Sequence, residues 1–257
     1  MFLDLKERGD GGRSSAPFLF FTMAKKRGLI CFDLDNTLVS SDKLHIFAFQ
    51  QAFKNYGLPK VKDTAIKNLL SITADILVKK IFPRLSGKKV RAVVAEHNKY
   101  SVKYAKKFIK PFPGVKSVLK KLKKDYELGV VSNCAHKEII SILKASGIDV
   151  KLFDVIIGDD EVRHGKPWPN EIFKAERLTH HNADYMVGDS PYDIIAGKKA
   201  KCKTISVLTG DFNRKRLKEE NPDYIIKNLK ELPEILEHDK KKIKGDIKKN
   251  EKQKSKN

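Results

Sequence analysis

Apolar residues along this 257-residue chain gather in two kinds of run that alternate. Short unbroken runs of strand length fall at 28–32, 127–131, 153–157, 185–187 and 204–207. Between them lie stretches with apolar residues at helical spacing: 115–124, with Val115, Val118, Leu119 and Leu122, then 136–145, 170–178 and 193–200. Unbroken apolar runs suit strands buried on both faces, hence a parallel sheet, and the strand–helix alternation predicts a three-layer α/β domain. The alternation breaks over 43–110, which shows about three long helical patterns and no good strand, punctuated by Gly57-Leu58-Pro59 and Ser86-Gly87. Pro111-Phe112-Pro113-Gly114 marks the return to the sheet. The pattern therefore predicts an all-helical insert over 43–110, within a core formed by 23–42 and 111–238.

Composition bounds the remaining possibilities. Hydrophobic residues make up 40% of the chain and charged residues 33%, enough for a globular core. No stretch approaches the roughly 18 apolar residues that span a bilayer, which excludes an integral membrane protein built on helices. Three widely spaced cysteines, Cys31, Cys134 and Cys202, with no CxxC, exclude a disulfide framework and fit a reducing, cytoplasmic setting. The net charge of +21 is concentrated: the insert carries +13 and residues 239–257 carry +6. The Lys-rich end is too poor in apolar residues to offset its ordering entropy and reads as a disordered tail. It serves either as a solubilising end or as a weak, salt-sensitive contact to nucleic acid. Residues 1–22 make a poor signal peptide and read as a disordered leader, or as sequence upstream of a true start at Met23.

Four short motifs sit where the predicted strands end, the place where reactive groups gather in an open parallel sheet. The first is Asp33-x-Asp35-x-Thr37, whose two carboxylates point the same way and are costly together unless a cation or substrate uses them. The second is Ser132-Asn133. The third is Lys166 in His164-Gly165-Lys166-Pro167. The fourth is Gly188-Asp189-Ser190-Pro191-Tyr192-Asp193. Acids, a hydroxyl, a lysine and a further acid pair suit phosphoryl transfer, with a carboxylate nucleophile and Mg²⁺ on hard oxygen ligands.

On these four motifs, in this order and context, the chain resembles the haloacid dehalogenase superfamily in its helical-cap branch, to which phosphoglycolate-phosphatase-like enzymes belong. The resemblance covers about 28–236. It implies a Rossmann-like core with sheet order 5-4-1-2-3, the first motif on the central strand. It also implies Asp33 as nucleophile and Asp35 as general acid and base, the latter calling for a pKa near working pH. Mg²⁺ is expected on the Asp33 carboxylate, the Asp35 backbone carbonyl and Asp189, with Asp193 in support. Ser132 would hold the transferring phosphoryl group and Lys166 would offset its charge. Thr37 would orient the first loop and, with Asn133, is a candidate for substrate binding. Lys79 and Lys80 in the insert are candidates for contact with the leaving group. Asn36, in place of the commoner Gly, tolerates the left-handed backbone that the motif needs.

The expected activity is Mg²⁺-dependent hydrolysis of a small anionic phosphate monoester through a phosphoaspartyl intermediate. A basic insert would favour an anionic leaving group. Two other readings stand beside it: a phosphohexose mutase similar to β-phosphoglucomutase, and a polyanion- or RNA-binding protein with a residual site.

Overall fold

The computed structural model describes residues 27–241. The leader expected over 1–22 and most of the tail expected over 239–257 lie outside the described residues.

The five apolar runs form parallel strands: β1 (Leu29–Phe32), β4 (Glu127–Ser132), β5 (Val155–Gly158), β6 (Ala183–Gly188) and β7 (Lys203–Val207). A sixth, β8 (Tyr224–Ile226), joins them in the order β5-β4-β1-β6-β7-β8. Apart from that edge strand, this is the order the motifs imply, with β1 in the middle. The unbroken run of β1 is explained by burial on both sides. Leu29 and Cys31 pack among Ile172, Ala175, Met186 and Ala196 on one face. Ile30 and Phe32 pack among Leu119, Ile139, Ile142 and Val187 on the other. The helices that cover the sheet are α5 (Val115–Leu122), α6 (His136–Ser146), α7 (Asn170–Thr179) and α8 (Pro191–Lys199), each carrying its buried stripe inward.

Residues between β1 and β4 leave the sheet through β2 (Val39–Ser40) and return through β3 (Lys110–Pro111). These two crossings pair antiparallel, Val39 with Pro111 and Ser40 with Lys110. Beyond them lie four helices: α1 (Asp42–Asn55), α2 (Asp63–Lys67), α3 (Ala74–Ile81) and α4 (Gly87–Phe108). The two shorter ones, α2 and α3, were not separated by periodicity. The four bury a core of their own, with Phe49, Phe53, Ile66, Leu77, Val78 and Val93.

Two further elements were not expected. α9 (Arg214–Glu219) and β8 are too short to show a period, and β8 is three residues long. The tail also begins later than position 239. The chain is helical over 232–241. Asp239 is buried, accepting hydrogen bonds from Tyr185 Oη at 2.9 Å and Lys203 Nζ at 2.6 Å, and from Tyr224. A partner on each of β6, β7 and β8 is what anchors this residue, and none was visible in the tail's own composition. Among the described residues no helix is long and apolar enough to cross a membrane.

Candidate active site

The carboxyl ends of β1, β4 and β6 meet beneath the insert around a cavity of about 400 Å³. Its floor is built from the four motifs. Asp33 follows β1 directly, its backbone N–H tied to Val187 of β6. Lys166, itself buried, places Nζ 2.6 Å from Asp33 Oδ1, 2.7 Å from Asp193 Oδ1 and 3.0 Å from the Val131 carbonyl oxygen. Burial works against the lysine charge, but Asp193 and Asp33 outweigh it and hold the pKa well above its ordinary value. It is a fixed cation with all three protons directed.

Asp193 is held as firmly. Its Oδ2 accepts from Ser190 N and Oγ, while Ser190 Oγ accepts from Asp193 N, a capping box that opens α8 with Pro191 at its first position. Gly188 is required here, because a Cβ at that position would lie 2.2 Å from Asp193 Cγ. With both oxygens engaged, Asp193 supports the site from below. Asp189 receives Thr37 Oγ1 at 3.5 Å. The carboxylate oxygens of Asp33, Asp189 and Asp193 lie within 4.8 Å of one another. Burial, then the charges of Asp33 and Asp193, push Asp189 well above the usual carboxylate range. Burial raises Asp33 as well, in spite of Lys166. Three buried carboxylates sharing one lysine form an all-oxygen, electron-rich set that a hard divalent cation fits.

The roof is different. Asp35 faces up into the insert, where His45 Nε2 lies 3.0 Å from its Oδ1 and the Cys134 thiol donates to its Oδ2 at 3.1 Å. Burial alone would raise the Asp35 pKa, but the charge of His45 and its hydrogen bond bring it down to about 2. His45 is correspondingly raised to about 9: burial opposes its charge, and Asp35 more than compensates. The expectation of an Asp35 pKa near working pH is therefore corrected. The acid and its neighbour form one ion pair, and the proton rests on the histidine. Beyond His45 lie His97, 3.4 Å away, and Glu138, 3.6 Å away.

The cavity brings together Asp33, Asp35, Ser132, Asn133, Lys166 and Asp189, all of which line it. Ser132 Oγ accepts from Cys134 N at 3.2 Å, which leaves its own O–H to donate. Asn133 Nδ2 is already spent on the Ser71 carbonyl of the insert and on the Lys166 carbonyl, so it ties roof to floor. Thr37 is fully buried and does not reach the cavity; it steadies Asp189 from beneath and is not a substrate contact. Asn36 has the positive φ of 57° expected of it.

Lys79 and Lys80 are the clearest correction. α3 turns Ala74 and Leu77 toward the cavity, and both lysines stand exposed on its other side. Lys79 Nζ is bound to the carbonyls of Pro83 and Leu85, at 2.9 Å and 2.6 Å. Of the insert's lysines and arginines only Arg91 lines the cavity, and among the described residues it has no acidic partner. The charge excess thus decorates the outer face.

Arg91, His45, His97, Asn98 and Glu138 were not singled out from the sequence. A signal was present for two of them. In α4 the buried stripe runs Val90, Val93, His97, Ser101, Ala105, and in α1 His45 sits beside buried Leu44, Ala48 and Phe49. A titratable residue on the apolar stripe of an amphipathic helix is out of place in a core and points to a site.

A parallel sheet of this order, a helical insert after its first strand and a lysine-linked acid cluster at the strand ends define a hydrolase class. The chain belongs to the haloacid dehalogenase-like hydrolase family, which matches residues 30–207. It is similar to pyrophosphatase PpaX of Oceanobacillus iheyensis, 30% identical over 210 residues that cover 80% of this chain and 95% of that protein. Pyrophosphatase PpaX of Listeria monocytogenes is 30% identical over 217 residues, covering 83% and 98%. The structure of a predicted phosphoglycolate phosphatase from Haemophilus somnus superposes with a TM-score of 0.71 at 26% identity, over 81% of this chain and 97% of that one. A hydrolase from Pseudomonas syringae shares the fold, with a TM-score of 0.72 at 19% identity over 82% and 99%.

Proposed function

We propose that the protein is a Mg²⁺-dependent phosphatase for a small substrate whose leaving group is itself anionic, with pyrophosphate and phosphoglycolate as the leading classes. The observation that carries this reading is the buried Asp33–Lys166–Asp193 array at the floor of a small cavity whose mouth holds one unpaired cation, Arg91. The relatives named as pyrophosphatases and as a phosphoglycolate phosphatase support the same two classes.

Lys166 holds Asp33 Oδ1, so Oδ2 is the oxygen that attacks phosphorus; the bond to the leaving oxygen breaks and an aspartyl phosphate forms. Ser132 donates its hydroxyl to a phosphoryl oxygen, and the Lys166 charge stabilises the transferring group. Asp35 stands next to the leaving oxygen with a proton one hydrogen bond behind it, on His45. It relays that proton out, then accepts one from the water that hydrolyses the intermediate. The carboxylates of Asp33 and Asp189 and the backbone carbonyl of Asp35 would hold Mg²⁺, which when bound neutralises charge on the phosphoryl oxygens. Three free thiols suit a reducing cytoplasm.

The test is phosphate release from pyrophosphate, phosphoglycolate, sugar phosphates, nucleotides and p-nitrophenyl phosphate, with and without Mg²⁺. Metal-dependent release that ranks the first two highest is expected, and Asp33→Asn should lower it by roughly 10⁴-fold or more. Release that survives Asp33→Asn would refute the nucleophile. Turnover confined to glucose 1-phosphate supplied with its bisphosphate would replace the phosphatase by a mutase.

A further inference from the structure

Above Asp35 the roof contains a cluster of which the proposed hydrolytic chemistry uses only one atom, His45 Nε2. His45 of α1, His97 of α4 and Glu138 of α6 are all buried, at 5%, 3% and 1% exposure, and all line the cavity. One donor atom from each falls within 4.8 Å of the others. The tautomers follow from their outer partners. His97 Nδ1 lies 2.8 Å from Asn98 Oδ1, an acceptor, so the proton is on Nδ1 and the Nε2 lone pair faces inward. His45 Nε2 lies 3.0 Å from Asp35 Oδ1, so its proton is there, and Nδ1 faces His97 Nε2 and Glu138 Oε1. Glu138 Oε1 is buried and accepts no hydrogen bond.

With the His45 Nδ1 proton gone, three electron pairs converge on one point, and burial makes that costly unless another cation takes the proton's place. A proton on His45 Nδ1 serves them poorly. Its two acceptors stand 3.4 Å and 3.6 Å away, longer than a good N–H hydrogen bond to either. A metal ion serves them better. Zinc bonds of about 2.0–2.1 Å to nitrogen and oxygen, arranged tetrahedrally, separate the donors by roughly 3.3–3.4 Å, close to both spacings. The His97–Glu138 edge is closed by rotating the Glu138 carboxylate, whose Oε1 accepts no hydrogen bond that the move would break.

We propose that His45 Nδ1, His97 Nε2 and Glu138 Oε1 form a second metal site, selective for a borderline transition ion such as Zn²⁺ and distinct from the oxygen-only floor. Two imidazoles and a carboxylate are the donor set of that class of ion, whereas Mg²⁺ prefers oxygen. Asn98 orients His97 from the outer shell, as such sites require. The cavity gives the entry path and leaves the fourth coordination position open to water. Because α1 and α4 belong to the insert and α6 to the core, an ion here fastens the roof to the floor.

The test is titration of the full chain with Co²⁺ as a spectroscopic stand-in for Zn²⁺, with Mg²⁺ saturating the floor. Expected is one equivalent of ion giving the intense visible bands of tetrahedral Co²⁺, displaced by Zn²⁺, with no thiolate charge-transfer band. His97→Gln and Glu138→Gln should each weaken binding by more than 100-fold, and Asn98→Ala by about 10- to 100-fold. Cys134→Ser should leave the spectrum intact; its loss there would shift the ion to the neighbouring Asp35, His45 and Cys134 set and overturn the proposal. A folded wild-type protein that shows no tetrahedral spectrum would overturn it as well, whatever the variants do. So would binding that persists in both His97→Gln and Glu138→Gln. The spectrum is read without turnover, so its failure leaves the hydrolytic reading standing.

Discussion

Floor and roof of the cavity solve their electrostatics in opposite ways. On the floor, acids outnumber bases: Asp33, Asp189 and Asp193 crowd around the single Lys166, an imbalance that favours an added cation. In the roof the tightest pair is balanced, Asp35 with His45 at 3.0 Å, and Glu138 stands behind that histidine at 3.6 Å. In the proposed reaction the floor receives charge that arrives, metal and phosphoryl group together. The roof is arranged to store a proton and release it on demand. Separate regions with separate imbalances let one cavity carry both tasks.

The comparison is broken most severely at Lys166. Lys166→Met removes the one cation on the floor and leaves buried carboxylates facing each other. Turnover should fall by about 10²–10³-fold or more, and stability by roughly 3–5 kcal/mol in metal-free buffer. Mg²⁺ should restore part of that stability, since an ion that binds only the folded state stabilises it by an amount that grows with the logarithm of ion concentration above Kd. Urea unfolding with and without Mg²⁺ measures both. Wild-type stability in the metal-free variant would show that the floor was balanced in some other way.

The roof is probed by His45→Gln. In the wild type the shared proton is lost as pH rises through about 9, the value to which Asp35 lifts His45. Glutamine keeps a hydrogen-bond donor but no charge. Asp35, freed of the cation that holds it at about 2, then rises under burial alone. The transferable proton now sits on the carboxyl and is lost at the carboxyl's own pKa, below that of His45. The alkaline limb of the kcat profile should therefore move to lower pH, and kcat at pH 8 should fall roughly 100-fold, at the low end for a general acid. KM should change little. An alkaline limb that stays in place would remove His45 from the proton path.

The same contrast explains what could be read from the sequence. Most floor residues stand within a few positions of a strand end, Lys166 lying farther out after β5, so local spacing carried them: the run 29–32 leads straight into Asp33, and Ser190-Pro191-Tyr192-Asp193 spells a capping box. The roof is assembled from α1, α4 and α6, whose residues 45, 97 and 138 meet only through tertiary packing. Their helices were visible and their meeting point was not. The error over Lys79 and Lys80 has the same origin. Net charge over 43–110 is a property of the segment, whereas contact with substrate depends on the rotation of α3 about its axis. The buried Leu77 and Val78 fix that rotation, and they carry the adjacent lysines outward.

This leads to the smallest predicted effect and the finest discrimination. Arg91 is the one lysine or arginine that the insert presents to the cavity, it is exposed, and among the described residues no carboxylate neutralises it. If it meets the charge on the leaving group, Arg91→Met should raise KM for pyrophosphate about tenfold, equivalent to about 1.4 kcal/mol. KM for p-nitrophenyl phosphate, whose leaving group lacks a second anion, should move less than twofold. The exposed position also makes the effect salt-sensitive, so the tenfold difference should shrink as ionic strength rises. Lys79→Met and Lys80→Met should leave both constants unchanged within twofold, even though each removes the same formal charge from the same segment. Equal losses in all three variants would mean that the insert acts through its summed field, with kcat/KM at low salt as the shared readout. A loss confined to Arg91 would place leaving-group selection on the first turns of α4, the part of the insert that reaches the mouth of the cavity.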